Sequence, residues 1–329
     1  MMHCVVNGHD IVALANLHPP THASDELDSY MFQTVGHHVI SLYAECLDVP
    51  LFKRPITGAS VELDADYVKN HNDEVEDLYE LLLKVKTDIP DVEGVSVGAI
   101  LSNYQRVRVE NVCSRLGLTS IAYLWRRDQS ALLKEMIDCQ IDARIIKVAS
   151  IDLESRHLGQ SLQQLFPHLT HLHSKYGSNV CGEGGEYETL TLDSPMFKKR
   201  IVWDETEIVH VSKGDFAPVS YLRIKRAHTV AKESFGLTED IKMRLLDNKV
   251  IRLNDCDDSL VRGFYSHFCD SFFLTNVSRL WSPKLPVSTT HFHSPALLLH
   301  RTESNLGTKR ATRPHLFIYQ HPRYNYPPA

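Results

Sequence analysis

A short segment rich in glycine and glutamate, residues 182–189, is the part of the chain best suited to chemistry. It places the carboxylates of Glu183, Glu186 and Glu188 close together, and its glycines allow the backbone to approach a ligand. Carboxylates packed so closely repel one another unless a cation such as Mg²⁺, an amine or ammonia is present. A carboxylate here can also take a proton from an attacking amine as a general base. The alternative interpretation is a flexible acidic hairpin.

A second segment follows a predicted strand and combines helix caps with arginines. Ser102 and Asn103 are suitable caps for the next helix, whose N-terminus can hold an anion. Arg106 and Arg108 carry forked donors that suit phosphate or carboxylate groups. The alternative is a capped helix with solvated arginines, in which the i,i+4 spacing pairs Arg106 with Glu110.

A third segment, 24–37, begins with acids that suit the start of a helix predicted over 28–47. His37 and His38 are adjacent, so they point away from each other on a helix and cannot share a metal ion. Histidines further along the chain lack a neighbouring Cys or Asp to complete a ligand set. We therefore predict no metal-binding residues. The phosphate-loop, dinucleotide, zinc-protease and serine-hydrolase motifs are absent from the sequence.

These segments lie in a chain that alternates strands and helices. Strands are predicted at 10–16, 52–56, 94–100, 120–124, 143–149 and 179–181. Helices are predicted at 28–47, 72–86, 105–115, 130–139 and 157–176. This alternation indicates an α/β fold with a parallel sheet covered on both faces, and ligands bind at the carboxyl ends of such strands. Further strands at 190–192, 199–210 and 219–224 follow without helices, so we expect a small antiparallel element there.

Charge and composition divide the chain near Arg226. Residues 1–225 contain 32 Asp and Glu against 21 Lys and Arg, whereas 276–329 contain one acid, seven basic residues and seven prolines. We therefore predict a body over 1–225 and an extension of unknown fold over 226–329, with 276–329 disordered. The acidic body argues against direct binding of nucleic acid.

The chain has the composition of a cytoplasmic protein. It contains no apolar run long enough to cross a membrane and no visible secretory signal. Its seven cysteines are scattered singly, which is typical of reduced thiols. We therefore predict a cytoplasmic protein without a membrane partner.

Two motifs carry a resemblance to a known family. They are GAILSNYQRVRVENVC at 98–113 and CGEGGEYETLTLD at 181–193, supported by the segment 25–37. They closely resemble diphthine–ammonia ligase, also called diphthamide synthetase, over about residues 1–225. The resemblance implies an adenine nucleotide alpha-hydrolase-like parallel sheet of the N-type ATP pyrophosphatase kind. It also implies an ATP-dependent amidation of diphthine on elongation factor 2, which uses ammonia and Mg²⁺ and releases AMP and pyrophosphate.

The resemblance also assigns roles to individual residues. It implies nucleotide-binding positions at Ala15, Asn16, Leu101, Ser102 and Arg106. It implies substrate-binding positions at Tyr104, Gln105, Arg108, Gly184, Gly185, Tyr187 and Thr189. The trimethylammonium group of diphthine prefers carboxylates and aromatic faces. Our hypothesis is that Glu183, Glu186, Tyr187 and Tyr104 surround it. Glu188 is then positioned for ammonia or magnesium. The predicted catalytic residues are Glu183, Glu186 and Glu188.

One departure from the family concerns the start of the sequence. Family members begin with a strand and a Ser-Gly-Gly-x-Asp-Ser loop that grips the pyrophosphate of ATP, and this sequence starts just beyond that loop. We expect the loss of that first strand to expose the backbone hydrogen-bonding groups of both its neighbours in the sheet. The alternative function is therefore a noncatalytic binding protein or inactive product that keeps the substrate face but lacks the ATP loop.

Overall fold

A computed structural model of the protein describes residues 1–20, 25–27, 29–212, 217–246, 272–273 and 317–319. Its strands are β1 (Leu14–His18), β2 (Leu51–Pro55), β3 (Gly94–Ser96), β4 (Thr119–Ile121), β5 (Asp142–Val148), β6 (Tyr187–Asp193), β7 (Lys199–His210), β8 (Ser220–Ala231), β9 (Phe272–Phe273) and β10 (Phe317–Tyr319). Its helices are α1 (Met2–Val6), α2 (Ser41–Leu47), α3 (Glu74–Asp88), α4 (Asn103–Leu116), α5 (Gln129–Asp138), α6 (Leu162–Tyr176) and α7 (Glu239–Leu246). Apart from β10, the disorder expected over 276–329 concerns residues outside these ranges.

The first sheet combines parallel strands of the body with two strands of the extension. β1 pairs in parallel with β2, and β3 pairs in parallel with β4. β10 runs parallel to β1, with Phe317 opposite Leu14, and β9 is antiparallel to both β10 and β3. The sheet order is therefore β2-β1-β10-β9-β3-β4. Two strands from beyond residue 226 thus lie between β1 and β3.

The second sheet has the order β6-β5-β8-β7 and is antiparallel throughout. The predicted antiparallel element is therefore present, but it is larger than expected because it includes β5. The prediction that β5 belongs to the parallel sheet is wrong. Its apolar, β-branched run indicates a buried strand but carries no information about the direction of its neighbours. The strand predicted at 179–181 is also wrong, since these residues are not in a strand.

The long helix predicted after β1 is wrong in its first half. Ser29 Oγ accepts the N–H groups of Met31 and Phe32, at 3.1 and 2.8 Å, which holds this segment in a turn. Gly36 then adopts a φ of 81°, which is not helical. Met31 and Phe32 are nevertheless fully buried. Side-chain hydrogen bonds therefore override the helical periodicity in this segment.

Apolar side chains pack on both sheets. The largest core lies between the first sheet and the helices α3 and α4. Two further cores pack α2 and then α5 and α6 against the second sheet. Asp73 caps α3 by accepting the N–H of Val75 at 2.9 Å. Packing of these cores holds the two sheets together. The loops that follow β1 and β3 then lie close to the start of β6.

A buried carboxylate links the turn after β1 to the start of α3. Glu74 is 1% exposed and accepts hydrogen bonds from Ser29 Oγ at 2.5 Å, Ser60 Oγ at 2.6 Å and the N–H of Tyr30 at 3.2 Å. Burial raises the pKa of Glu74 to about 7, although these hydrogen bonds oppose the shift. The native state therefore binds the proton of Glu74 more tightly than the unfolded chain.

This raised pKa predicts a pH-dependent stability. The contribution of Glu74 is complete below its unfolded pKa of 4.5 and is lost as the pH rises through about 7. Between about pH 5 and pH 8 we expect it to remove about 2–3 kcal/mol from the free energy of unfolding. The free energy of unfolding of Glu74→Gln and of the wild type is measured with urea at both pH values. We expect it to fall less between the two pH values in Glu74→Gln than in the wild type, by this amount.

The matched control is Glu76→Gln on the same helix. Burial raises the pKa of Glu76, but hydrogen bonds from Arg115 and Tyr67 outweigh it and leave this pKa below its ordinary value. Glu76 is therefore ionised in the folded and unfolded states over this pH interval, and its substitution should leave the decline unchanged. An unchanged decline in Glu74→Gln would contradict the prediction.

Candidate functional site

The three segments identified in the sequence meet at one place. The carboxylate of Glu183 accepts the N–H of Leu101 at 2.9 Å and faces the N–H of Ile100 at 3.4 Å. Gln33 Nε2 lies 3.4 Å from the carbonyl oxygen of Thr189, to which it donates. These contacts join the segment after β1, the loop after β3 and the start of β6. The segment after β1 and the loop after β3 therefore both contact the region from Glu183 to Thr189.

The glycine-rich turn is closed by its own glutamate. Glu186 accepts hydrogen bonds from the N–H of Asn179 at 2.8 Å, from Asn179 Nδ2 at 3.1 Å and from the N–H of Gly184. A Cβ atom on Gly184 would lie 2.3 Å from Glu186 Oε1, and Gly182 and Gly185 have φ values of 78° and 73°. Burial raises the pKa of Glu186, although the N–H donors oppose the shift. The glutamate is thus buried within a built turn, unlike the open acidic hairpin of the alternative interpretation.

The third glutamate belongs to a buried ion cluster. Lys147 Nζ on β5 lies 3.0 Å from Glu188 Oε1 on β6 and 2.7 Å from Glu26 Oε1. The side chains of all three residues are at most 9% exposed. The cation that the clustered carboxylates require is therefore supplied in part by the protein itself. Sequence analysis missed Lys147. The signal that could have identified it is a single lysine within the apolar run of β5.

Buried polar atoms without a protein partner surround these loops. Within the part of the chain that the structure describes, they include Glu188 Oε2, Gln33 Oε1, Ser102 Oγ and Gln105 Oε1. Gln105 uses its other amide atom, Nε2, to donate to the carbonyl oxygen of Tyr30 at 3.2 Å. Leaving such atoms unpaired costs free energy, so they indicate where a bound polar group would be stabilised. Gln33 is the second site residue that sequence analysis missed.

Arg108 is wholly buried and bonds to the backbone. Its guanidinium donates to the carbonyl oxygens of Tyr104 at 2.9 Å, Asp64 at 3.1 Å and Glu62. The guanidinium carbon lies 3.3 Å from the centroid of the Tyr104 ring. The ring of Tyr30 also lies beside it, 6.1 Å away between centroids. One face of the Tyr104 ring, which we assigned to the trimethylammonium group, is therefore covered by an arginine of the protein.

Arg106 adopts the i,i+4 pairing that was the alternative interpretation. It donates to both carboxylate oxygens of Glu110, at 2.8 and 2.9 Å, and to Asn103 Oδ1 at 2.7 Å. Its guanidinium also stacks on Trp125, 4.8 Å from the ring centroid. Ser102 occupies the N-cap position of α4, but its side chain makes no cap bond. Most donors of Arg106 are thus committed within the protein.

The remaining predicted positions lie inside secondary structure. Ala15 and Asn16 are 0% and 1% exposed within β1, which continues for two residues beyond the predicted end of the strand, to His18. Ala15 belongs to the apolar core. Tyr187 is 2% exposed and donates from its hydroxyl to the carbonyl oxygen of Val180 at 2.6 Å. The roles that the resemblance gives these residues stay predictions.

Other features restrict what this region can bind. Among the described residues, no three His, Cys, Asp or Glu side chains are arranged to hold a metal ion by themselves. In the same ranges, no helix has both the length and the apolar character needed to cross a bilayer. A cavity of about 210 Å³, lined mainly by apolar side chains, reaches the site at Ile100, Tyr187 and Thr189. The polar chemistry is therefore concentrated in the loops.

The fold and the site define a mixed α/β protein with a buried acidic loop between two sheets. The profile of the diphthamide synthase N-terminal domain matches residues 2–120, and that of the diphthamide synthase C-terminal domain matches residues 128–230. The chain therefore belongs to the diphthamide synthase family, as its motifs predicted. The matched ranges contain all three segments that meet at the site.

Relatives of known name agree with this assignment. Over 237 residues, 71% of this chain and 88% of each relative, the chain is 59% identical to diphthine–ammonia ligase of Bos taurus and 57% identical to that of Homo sapiens. It is also 53% identical over 225 residues to diphthine–ammonia ligase of Schizosaccharomyces pombe, of which it covers 36%. The predicted family and its ligase class are thus confirmed.

The contact between the two loops is open to a direct test. We predict that Glu183→Ala lowers the free energy of unfolding by about 1–3 kcal/mol, because the buried N–H groups of Ile100 and Leu101 lose their acceptor. Hydrogen exchange measured by mass spectrometry should accelerate at these two amides. The control Glu110→Ala removes a half-exposed carboxylate of α4 and should change stability by less than about 1 kcal/mol. Unaltered exchange at Leu101 would contradict the assigned contact.

Proposed function

We propose that the protein catalyses the ATP-dependent amidation of diphthine on elongation factor 2, with ammonia as the nitrogen donor and AMP and pyrophosphate as products. The observation that supports this most directly is the match to both diphthamide synthase domains, over 2–120 and 128–230. The name of these relatives, diphthine–ammonia ligase, supports diphthine as the substrate and ammonia as the nitrogen donor. We further propose that the reaction takes place in the cytoplasm, without a membrane or nucleic acid partner.

The proposal gives the buried carboxylates separate tasks. The carboxylate oxygens of Glu183 and Glu186 accept hydrogen bonds from backbone N–H groups. These two residues therefore stabilise the loops that would surround diphthine. Glu188 bonds to Lys147 through one oxygen and leaves the other without a protein partner among the described residues. Glu188 is therefore the glutamate best placed to accept a proton. The low exposure of all three would limit the access of bulk water, which would otherwise compete with ammonia.

ATP enters the proposal as the substrate that activates the carboxylate of diphthine. Ser102 Oγ is a buried group near the start of α4 without a protein partner among the described residues, and it suits a hydroxyl or phosphate of the nucleotide. Arg106 would have to exchange Glu110 or Asn103 for a phosphate. Because the described residues offer no metal cluster of their own, Mg²⁺ would be carried mainly by the phosphates of ATP, and we assign no step to it.

The proposed reaction can be measured with isotope-labelled ammonium. The protein is incubated with diphthine-bearing elongation factor 2, MgATP and ¹⁵N-ammonium, and the elongation factor is analysed by mass spectrometry. We predict incorporation of ¹⁵N into the diphthine residue together with release of AMP and pyrophosphate. Omission of ATP or of ammonium should abolish incorporation, because each supplies one half of the new amide bond.

The same preparation distinguishes the noncatalytic alternative. Binding of diphthine-bearing elongation factor 2 is measured by calorimetry beside the labelling assay, with elongation factor that lacks diphthine as the control. Selective binding without pyrophosphate release or ¹⁵N incorporation would contradict the ligase proposal and support a binding protein. Absence of both binding and reaction would contradict both assignments.

A further inference from the structure

In the ion cluster of Lys147, Glu26 and Glu188, two buried carboxylates share one ammonium group. One ammonium group faces two carboxylates, at 2.7 and 3.0 Å, and all three side chains are at most 9% exposed. The neighbouring Asp25 is paired with Arg223 at 2.6 Å, so that arginine is already engaged with a carboxylate. A buried excess of negative charge is unfavourable unless further hydrogen-bond donors or positive charge compensate it. The cluster is therefore suited to a ligand that donates hydrogen bonds.

The unpartnered atoms nearby are acceptors rather than donors. Glu188 Oε2 and Gln33 Oε1 are buried and have no protein partner among the described residues. Glu188 is 2% exposed and Gln33 is 4% exposed, so bulk solvent does not readily solvate them. Gln33 Nε2 donates to the carbonyl oxygens of Val35 at 2.9 Å and of Thr189 at 3.4 Å, which places this amide beside the residue that follows Glu188. Gln33 thus contacts the backbone of β6 at the residue next to Glu188.

The chemistry of these atoms discriminates among the ligands of the proposed reaction. A trimethylammonium group has no N–H and cannot donate to a carboxylate or an amide oxygen. A phosphate is an anion and an acceptor, so the carboxylate oxygen of Glu188 repels it. Ammonia and ammonium are small, donate several hydrogen bonds and fit a site with little exposed surface. They are the reactants that match two buried acceptors.

We propose that Glu188 Oε2, with Gln33 Oε1, binds the ammonia that attacks the activated substrate; this inference rests on the proposed function. The nitrogen lone pair attacks the carbonyl carbon of the diphthine adenylate and forms the C–N bond. The bond from that carbon to the AMP oxygen breaks, and its electron pair leaves with AMP. The proton released from nitrogen passes to Glu188 Oε2. Lys147 stays bonded to Glu188 Oε1, which leaves Oε2 for the nitrogen.

The test separates ammonia binding from activation of diphthine. Formation of the adenylate is measured without ammonia, as exchange of labelled pyrophosphate into ATP in the presence of diphthine-bearing elongation factor 2. Amide formation is measured as a function of ammonium concentration. We expect Glu188→Gln to raise the KM for ammonium by roughly tenfold or more and to lower kcat, because a charged acceptor is lost. Pyrophosphate exchange should stay within about twofold of the wild type, since Glu188 acts after activation.

A second variant covers the case in which Glu188→Gln disturbs the ion cluster. Gln33→Met keeps a similar volume, removes the amide acceptor and carries no charge, so we expect a raised KM for ammonium with unchanged pyrophosphate exchange. The matched control is Glu205→Gln, an exposed carboxylate on β7 near Lys225, which should leave both assays unchanged. If Glu188→Gln also loses exchange, Gln33→Met alone decides the question.

The outcomes are distinct. A raised KM for ammonium with intact exchange, in Glu188→Gln or in Gln33→Met, supports the ammonia site. An unchanged KM in Gln33→Met, together with an unchanged KM or lost exchange in Glu188→Gln, overturns it while the proposed function stands. A wild-type protein that shows neither exchange nor amide formation overturns the proposed function, and the ammonia site with it.

Discussion

The ammonium group of Lys147 is the constraint around which the site is organised. A buried cation must be surrounded by acceptors, and its two carboxylate partners, Glu26 and Glu188, come from distant parts of the sequence. Satisfying Lys147 therefore forces the segment after β1 to lie against β5 and β6 of the second sheet. The apolar cores bring the sheets together, but they are tolerant of small shifts. The ion cluster restricts the positions of the loops more than the apolar cores do, because its contacts require short distances.

The three glutamates of the glycine-rich segment have different surroundings, although the sequence presents them as one acidic group. Glu183 accepts N–H groups of the loop after β3, and Glu186 accepts N–H groups of its own turn. These two carboxylates hold the shape of the loops. Glu188, the last of the three, retains an oxygen without a protein partner among the described residues. Carboxylates a few residues apart in one acidic motif can therefore differ in whether the protein satisfies all their oxygens.

The sequence predicted the elements better than it predicted their partners. The helix at Gln129–Asp138 and the strand at Lys199–His210 follow from local spacing, which depends on neighbours along the chain. The turn at Ser29 and the antiparallel neighbours of β5 depend on contacts with distant residues, so periodicity misassigned both. Lys147 was missed for the same reason. The role of a lysine in an apolar strand becomes evident only when its partners, Glu26 and Glu188, are known. The covering of the Tyr104 ring by Arg108 likewise required the folded structure.

The pairing of β10 with β1 has a consequence for how the protein forms. Leu14 and Phe317 are neighbours in the first sheet but are about 300 residues apart in the chain. A contact over such a distance closes a very large loop, which slows the step that completes the sheet. During synthesis, β1 emerges from the ribosome long before its partner exists. The centre of this sheet is therefore assembled last, and until then the edge of β1 is open to other strands and to chaperones.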